Sequence, residues 1–174
     1  ENSDEVVEFV NFITKGFKMR DQKEILIQDL SVPEEIVRYK KFYVYKRDIT
    51  FGSPLYFAPY FTRPSGEIEG ISSISKVLGV LTINPIDIQS FKDELLIYAN
   101  NEILLVEKWL KGVKKPDSKE KATFYFLASP VFLNNPLKKD GGREKGRGKG
   151  WIAGYIPKNR CVTFEEFIKR LASV

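Results

Sequence analysis

The densest chemistry in this chain lies in twelve residues, Lys138 to Lys149, where Lys138, Lys139, Arg143, Lys145, Arg147 and Lys149 stand against Asp140 and Glu144. Four glycines are spread among them, and the net +4 of the stretch is most of the formal +5 of the chain. Cations on a flexible backbone suit a polyanion, because each can find a phosphate without a fixed geometry. A segment so polar and glycine-rich cannot bury enough surface to offset its ordering entropy, so 138–150 is expected as an exposed loop. The same composition also fits a solubilising connector between two strands.

A second concentration is aromatic. Nine of the 23 aromatic residues fall between Tyr39 and Phe61, and Lys40, Lys41, Lys46, Arg47 and Arg63 interleave with them. Alternating rings on two paired strands, Phe42 and Tyr56 for instance, could form a wall that stacks on an unpaired base or holds a flipped one. Phenylalanines are expected mainly in the core, whereas a tyrosine hydroxyl seeks water or a partner. Tyr43, Tyr45, Tyr56 and Tyr60, with Trp151 after the basic loop, are therefore the stacking candidates. Lys46, Arg47 and Arg63 join the six loop cations as the phosphate-binding candidates.

Other chemistry is narrowed by what the sequence omits. It contains no histidine, so Ser-His-Asp, Cys-His and His-metal sites are out of reach. The single cysteine, Cys161, can form neither an internal disulfide nor a zinc cluster, and is expected as a small buried residue. Gly148-Lys149-Gly150 lacks the hydroxyl residue and spacing of a phosphate-binding P-loop. The Asp/Glu-x-Lys matches, Asp21-Gln22-Lys23 and Asp117-Ser118-Lys119, sit in polar turns rather than on the strands a metal-dependent nuclease needs. Glu67 and Glu69 alternate along one strand face and, with Asp93, leave a metal-dependent nuclease as a remaining alternative. No catalytic residue, metal or cofactor is expected.

The 174 residues suit one domain, with 43% hydrophobic and 29% charged residues. The acidic start without Met, the lack of a signal-peptide pattern and the lack of a long apolar run predict a cytoplasmic fragment of a larger protein, with no membrane span.

The elements that must position these groups read as follows. A helix is expected over about 4–17, from the Asn2-x-x-Glu5 capping pattern and the spacing of Val6, Phe9, Ile13 and Phe17. Glu24–Leu30 fits a strand or a short helix, and Pro33 with Glu34 and Glu35 starts a short helix near 33–39. Lys41–Tyr45 and Leu55–Phe61 read as strands, the second placed at an edge or interrupted by Pro59. Ile68–Ile83 suits one long bent strand or two short ones, with bulges at Gly70 or Gly79. Ser90–Ala99 reads as a helix, and Glu102–Leu110 as a helix or a strand. Ala122–Leu127, Val131–Leu133 and Trp151–Tyr155 read as strands, and Thr163-x-x-Glu166 caps a closing helix. The fold class is α+β, a small mixed or antiparallel barrel-like sheet with helices at both ends.

This order of elements resembles the PUA-like superfamily, which includes the EVE, YTH and ASCH types. The resemblance rests on Lys41–Tyr45, Leu55–Phe61 with Ile68–Ile83, and Phe124–Leu133 with Trp151–Ile156, and covers about two-thirds of the chain. It carries no signature motif, so no functional residue transfers position by position. It implies a non-catalytic domain that reads a modified or flipped base, as the recognition module of a restriction- or defence-type enzyme. The partner it implies is nucleic acid, DNA in preference to RNA, together with other domains of a parent protein. The alternative from another class is a protein-interaction domain whose basic loop docks an acidic partner.

Overall fold

The computed structural model describes residues 6, 24–48, 53–113, 119–138 and 161–172. Of the helix expected over 4–17, only the helical Val6 is described. The residues from Lys139 to Arg160, including the strand expected at Trp151–Tyr155, lie outside the described set.

Among the described residues, seven strands form one sheet: β1 (Ile25–Leu30), β2 (Val44–Arg47), β3 (Tyr56–Phe61), β4 (Ile71–Ile83), β5 (Ala122–Leu127), β6 (Val131–Leu137) and β7 (Cys161–Val162). Their order is β2-β5-β4-β3-β1-β7, with β6 paired to β4 off that path. β1 and β3 run parallel, and the other pairs are antiparallel. Among the described residues the sheet is therefore mixed and is not closed into a barrel. Among the described residues, four α-helices can be delimited: α1 (Pro33–Phe42), α2 (Lys92–Tyr98), α3 (Ile103–Val113) and α4 (Phe164–Ala172). No described helix is long and apolar enough to cross a membrane.

Strand alternation sorts the side chains onto two faces. On one face, Ile25, Ile27, Tyr56, Ala58 and Tyr60 pack with Phe164 and Phe167 of α4. Further along, Leu81, Ile83, Phe124 and Phe126 pack with Leu95 of α2 and Val106 and Trp109 of α3. The opposite face gathers Leu26, Phe57, Tyr45, Tyr125 and Leu127 under Ile36 and Tyr39 of α1. Trp109 is fully buried and donates its indole N–H to the Leu127 carbonyl at 3.1 Å.

Local chemistry explains the element boundaries. α1 starts on Pro33, with Glu34 and Glu35 in its first turn, where the helix dipole favours carboxylates. It continues through Phe42, past the expected end near 39, and Tyr43 closes it in the left-handed region at φ 54°. The strand expected at Lys41–Tyr45 accordingly begins at Val44. β1 resolves the ambiguity of Glu24–Leu30 as a strand, and α3 resolves that of Glu102–Leu110 as a helix. α2 is shorter than expected, because Pro85–Phe91 forms a 3₁₀ helix and the Ser90 hydroxyl bonds back to the Asp87 carbonyl at 2.9 Å.

Pro59 sits in a central strand rather than at an edge, because β3 lies between β1 and β4. The N–H groups of Tyr56 and Thr62 point to the β1 side, bonding Glu24 and Leu30, while that of Phe61 points to Gly70. Alternation therefore aims the missing Pro59 donor toward β4, between the Phe57–Ser75 pair and the Phe61–Gly70 bridge, where β3–β4 pairing lapses. β4 is one long strand with a bulge between Val77 and Gly79. At Gly79 a Cβ would fall 2.1 Å from the ring of Tyr98, so only glycine lets α2 lie this close. The expected capping box closes α4: Thr163 N–H donates to Glu166 at 3.0 Å, and Glu166 N–H to the Thr163 hydroxyl at 3.2 Å. Buried Glu24 accepts the Phe164 N–H at 3.1 Å, tying β1 to the start of α4.

Candidate nucleic-acid interface

The tyrosines singled out by sequence are mostly structural. Tyr56 is 2% exposed and Tyr60 0% exposed, both on the face covered by α4. Tyr56 meets Phe164 edge-on at 5.0 Å, and Tyr60 donates to Glu69 at 3.4 Å. Tyr45, on the other face, stacks on Phe57 at 4.3 Å between centroids and donates to Gln28 at 3.4 Å. With their faces enclosed by protein, these three rings form no open wall for a base. Phe42, the partner proposed for Tyr56, ends a helix instead of lying on a strand. Tyr43 is half-buried at the α1–β2 junction, and Lys108 Nζ sits 4.5 Å over its ring, a cation–π contact that occupies one side. Trp151 lies outside the described residues.

The described candidate cations fall into two groups at opposite ends of β4. Lys46 and Arg47 pair across to Phe124 and Thr123, which face Leu81 and Thr82 near the end of β4. Arg47 is buried, and Lys46 lies 3.9 Å from Asp48. At the start of β4, Ile71 pairs with Leu137, after which exposed Lys138 begins the basic run. Arg63 is at this same end: its Nε donates to Glu69 at 3.1 Å, next to Gly70, whose added Cβ would meet the Leu137 carbonyl at 2.9 Å. Roughly 35 Å of extended strand separates the two groups. Lys139, Arg143, Lys145, Arg147 and Lys149 lie outside the described residues.

Glu67 and Glu69 are engaged by cations. Lys40 Nζ lies 3.0 and 3.1 Å from the two Glu67 oxygens, and Arg63 holds Glu69. Each pair is partly exposed, and such pairs contribute only about 0–1 kcal/mol. A phosphate arriving at this rim can therefore displace a carboxylate at little cost. Among the described residues, no cluster of three or more His, Cys, Asp or Glu could hold a metal ion.

Beneath α1 runs a buried polar seam. Ser73 and Ser75 occupy alternate positions on β4, and the Tyr39 hydroxyl lies 2.7 Å from the first and 3.3 Å from the second. Burial raises the Tyr39 pKa against the lowering effect of the two serine contacts. Burial also raises that of Tyr45, with Arg47 opposing. Both phenols thus stay neutral and act as hydrogen-bonding groups rather than as acids or bases near neutral pH. Glu35 at the start of α1 is half-buried; desolvation raises its pKa while Arg38 pulls it down. Cys161 is buried on the same inner face, as expected from sequence.

Sequence reasoning missed Phe132. It is 73% exposed, and among the described residues it is the one exposed aromatic. It pairs directly with Ser73 and so shares the face of the polar seam. Its strand was legible, but its face depends on the pairing with β4, which no local pattern records.

The fold is similar to that of solved ASCH structures, a PUA-like architecture. It matches a mutant form of the ASCH protein from Zymomonas mobilis with a TM-score of 0.50 at 16% identity, covering 88% of this chain and 99% of that one. The unsubstituted protein from the same organism gives 0.48 at 17% identity, with 88% and 96% covered. The N-terminal domain of Staphylothermus marinus McrB gives 0.43 at 13% identity, with 86% and 92% covered. No protein family and no curated protein matches the sequence. Identities this low speak to fold alone.

Proposed function

We propose that this domain is a non-catalytic nucleic-acid recognition module, acting on DNA in preference to RNA, within a larger restriction- or defence-type protein. One observation carries the reading: the basic run starts at Lys138, at the same end of the sheet as Arg63 and Lys40. Cations of the run and of the rim can then follow one stretch of phosphates, with Glu67 and Glu69 yielding their partners to it. The PUA-like architecture supports the reading, since the resemblance implies a base-reading domain. Tyr43 and Trp151 remain stacking candidates in this proposal, whereas Tyr45, Tyr56 and Tyr60 support them from within. Lys46 and Arg47 sit too far along β4 to share the rim and would contact only an extended ligand. Recognition of a modified or flipped base is the finer part of the proposal.

The test is binding to matched single-stranded, duplex and base-modified duplex oligonucleotides. Replacing Arg143, Lys145 and Arg147 together by Ala is expected to weaken binding to all of them alike. Unchanged affinity in that variant would remove the loop from the interface.

A second reading has one observation in its favour. Ile97 lies one residue before the end of α2, and Ile103 and Leu104 begin α3; all three are exposed near one helix junction. Such a patch suits a protein partner. Retention of a protein partner by the full chain, with no affinity for any oligonucleotide, would move this reading to the front.

A further inference from the structure

β6 presents groups of three kinds in order along one short strand. Phe132 offers an exposed ring, Asn134 and Asn135 offer exposed amides, and exposed Lys138 follows the last residue, Leu137. The pairing with β4 shifts register between Phe132 and Leu137, so the series bulges and spans less than the roughly 20 Å of a regular strand. The neighbours of Phe132 face the other way: Val131 and Leu133 pack against the core beside α4. Phe132 is thus held outward by the strand's own alternation, and its anchoring does not depend on its ring. Every other described aromatic is buried or half-buried, so a ring left in water here stands out against how the chain treats the rest.

The surroundings fit a planar, hydrogen-bonding ligand. Ser73 lies directly across from Phe132, and opposed residues of an antiparallel pair carry their Cβ atoms about 4.5–5.5 Å apart. The Ser73 hydroxyl is fixed by Tyr39, which packs against Phe57 and Phe61. Each asparagine amide offers both donors and acceptors, matching the mixed edge of a base. A purely apolar partner would leave those amides without an equivalent role.

We propose that β6 is a track for single-stranded nucleic acid, with Phe132 stacking on an unpaired base, the Asn134 amide two residues on reaching a base edge, and Lys138 holding a phosphate. This rests on the nucleic-acid reading above and adds to it the residue that engages the base. It adds to the stacking candidates Tyr43 and Trp151 a ring on a strand that carries no tyrosine. It also makes an unpaired base, and not duplex groove geometry, the element recognised at this strand.

The experiment uses the full chain and a fluorescein-labelled single-stranded oligodeoxynucleotide, compared with a strand of equal length made wholly of abasic sites. Phe132→Ala is expected to weaken binding to the normal strand by about 5- to 150-fold, the range for losing one stacked base. It should leave affinity for the abasic strand unchanged, while Phe132→Trp keeps or improves binding to the normal strand. Ile68→Ala, which removes another exposed apolar group, should change neither. Equal binding of both strands by Phe132→Ala and the unaltered protein would overturn the track and leave the cationic interface standing. Equal weakening on both strands would likewise overturn stacking. No binding of any oligonucleotide by the unaltered protein at low salt would overturn this inference together with the reading beneath it.

Discussion

The aromatic stretch from Tyr39 to Phe61 and the strand β6 use aromatic rings in opposite ways. In the first, rings pack on rings: Tyr45 on Phe57, and Tyr39 against Phe57 and Phe61. Their hydroxyls are met inside the protein, by Gln28, Ser73 and Ser75. In β6 a single ring stands in water with amides and a lysine after it. A dense aromatic cluster supplies so much apolar surface that burial claims it, and the polar tips are then satisfied by neighbours. An isolated ring on a strand whose other face is already packed has no core to enter.

The largest effect that would sharpen this contrast is on stability. Tyr56→Ala is expected to cost about 3–5 kcal/mol, as for other large-to-small changes in a packed core. Phe132→Ala should stay within about 0.5 kcal/mol. Urea unfolding of the two variants measures both, and comparable losses would erase the distinction. Gly79→Ala comes next, at about 1–3 kcal/mol, because the new Cβ would fall 2.1 Å from the Tyr98 ring. Tyr98 donates to Glu94 at 2.6 Å, and burial, with help from that carboxylate, pushes its pKa up to about 12. Displacing the ring should lower this value toward 10, which an ultraviolet pH titration of the tyrosines would register.

Tyr39→Phe is a smaller perturbation. It removes the hydroxyl that lies within hydrogen-bonding distance of both Ser73 and Ser75, so a loss of about 0.5–1.5 kcal/mol is expected. Calorimetric melting would show it, and a loss as large as that of Tyr56→Ala would mean that the hydroxyl, not the ring, sustains the inner face. The smallest effect concerns Glu35. Its pKa is raised in the folded state above the ordinary 4.5, so the folded protein binds the proton more tightly. Its contribution is fully present below pH 4.5 and is lost as pH rises through the raised value. Glu35→Gln should flatten stability across that window and leave the protein slightly more stable near neutral pH. A steeper pH dependence in the variant would contradict the burial argument.

The parts of the fold that were legible in sequence are those specified locally. Thr163 and Glu166 announce the start of α4, Pro33 with Glu34 and Glu35 starts α1, and Gly79 marks the bulge of β4. The parts misread depend on contacts between distant residues. Pro59 belongs to a central strand because β3 pairs with β1 on one side and with β4 on the other, its missing donor falling where the β3–β4 pairing lapses, which only the assembled sheet reveals. The helix continues to Phe42 because Tyr43 can take a left-handed conformation that bonds back to Arg38 and Tyr39. The site was legible in kind, as cations and rings, but not in arrangement. Arg47 and Arg63 look alike in a sequence and sit at opposite ends of β4, one buried and one exposed. Phe132 gave no signal beyond being a ring in a strand.

The proposed recognition of nucleic acid depends on the cations of the basic run that begins at Lys138. The most direct measurement is the anisotropy of a labelled single strand titrated at several salt concentrations, for the unaltered protein and for the variant with Arg143, Lys145 and Arg147 changed to Ala. The account predicts binding that weakens steeply with salt, and a slope of log affinity against log salt that shrinks by about 0.7 for each phosphate contact removed. Binding that ignores salt, or no binding at low salt, would contradict it.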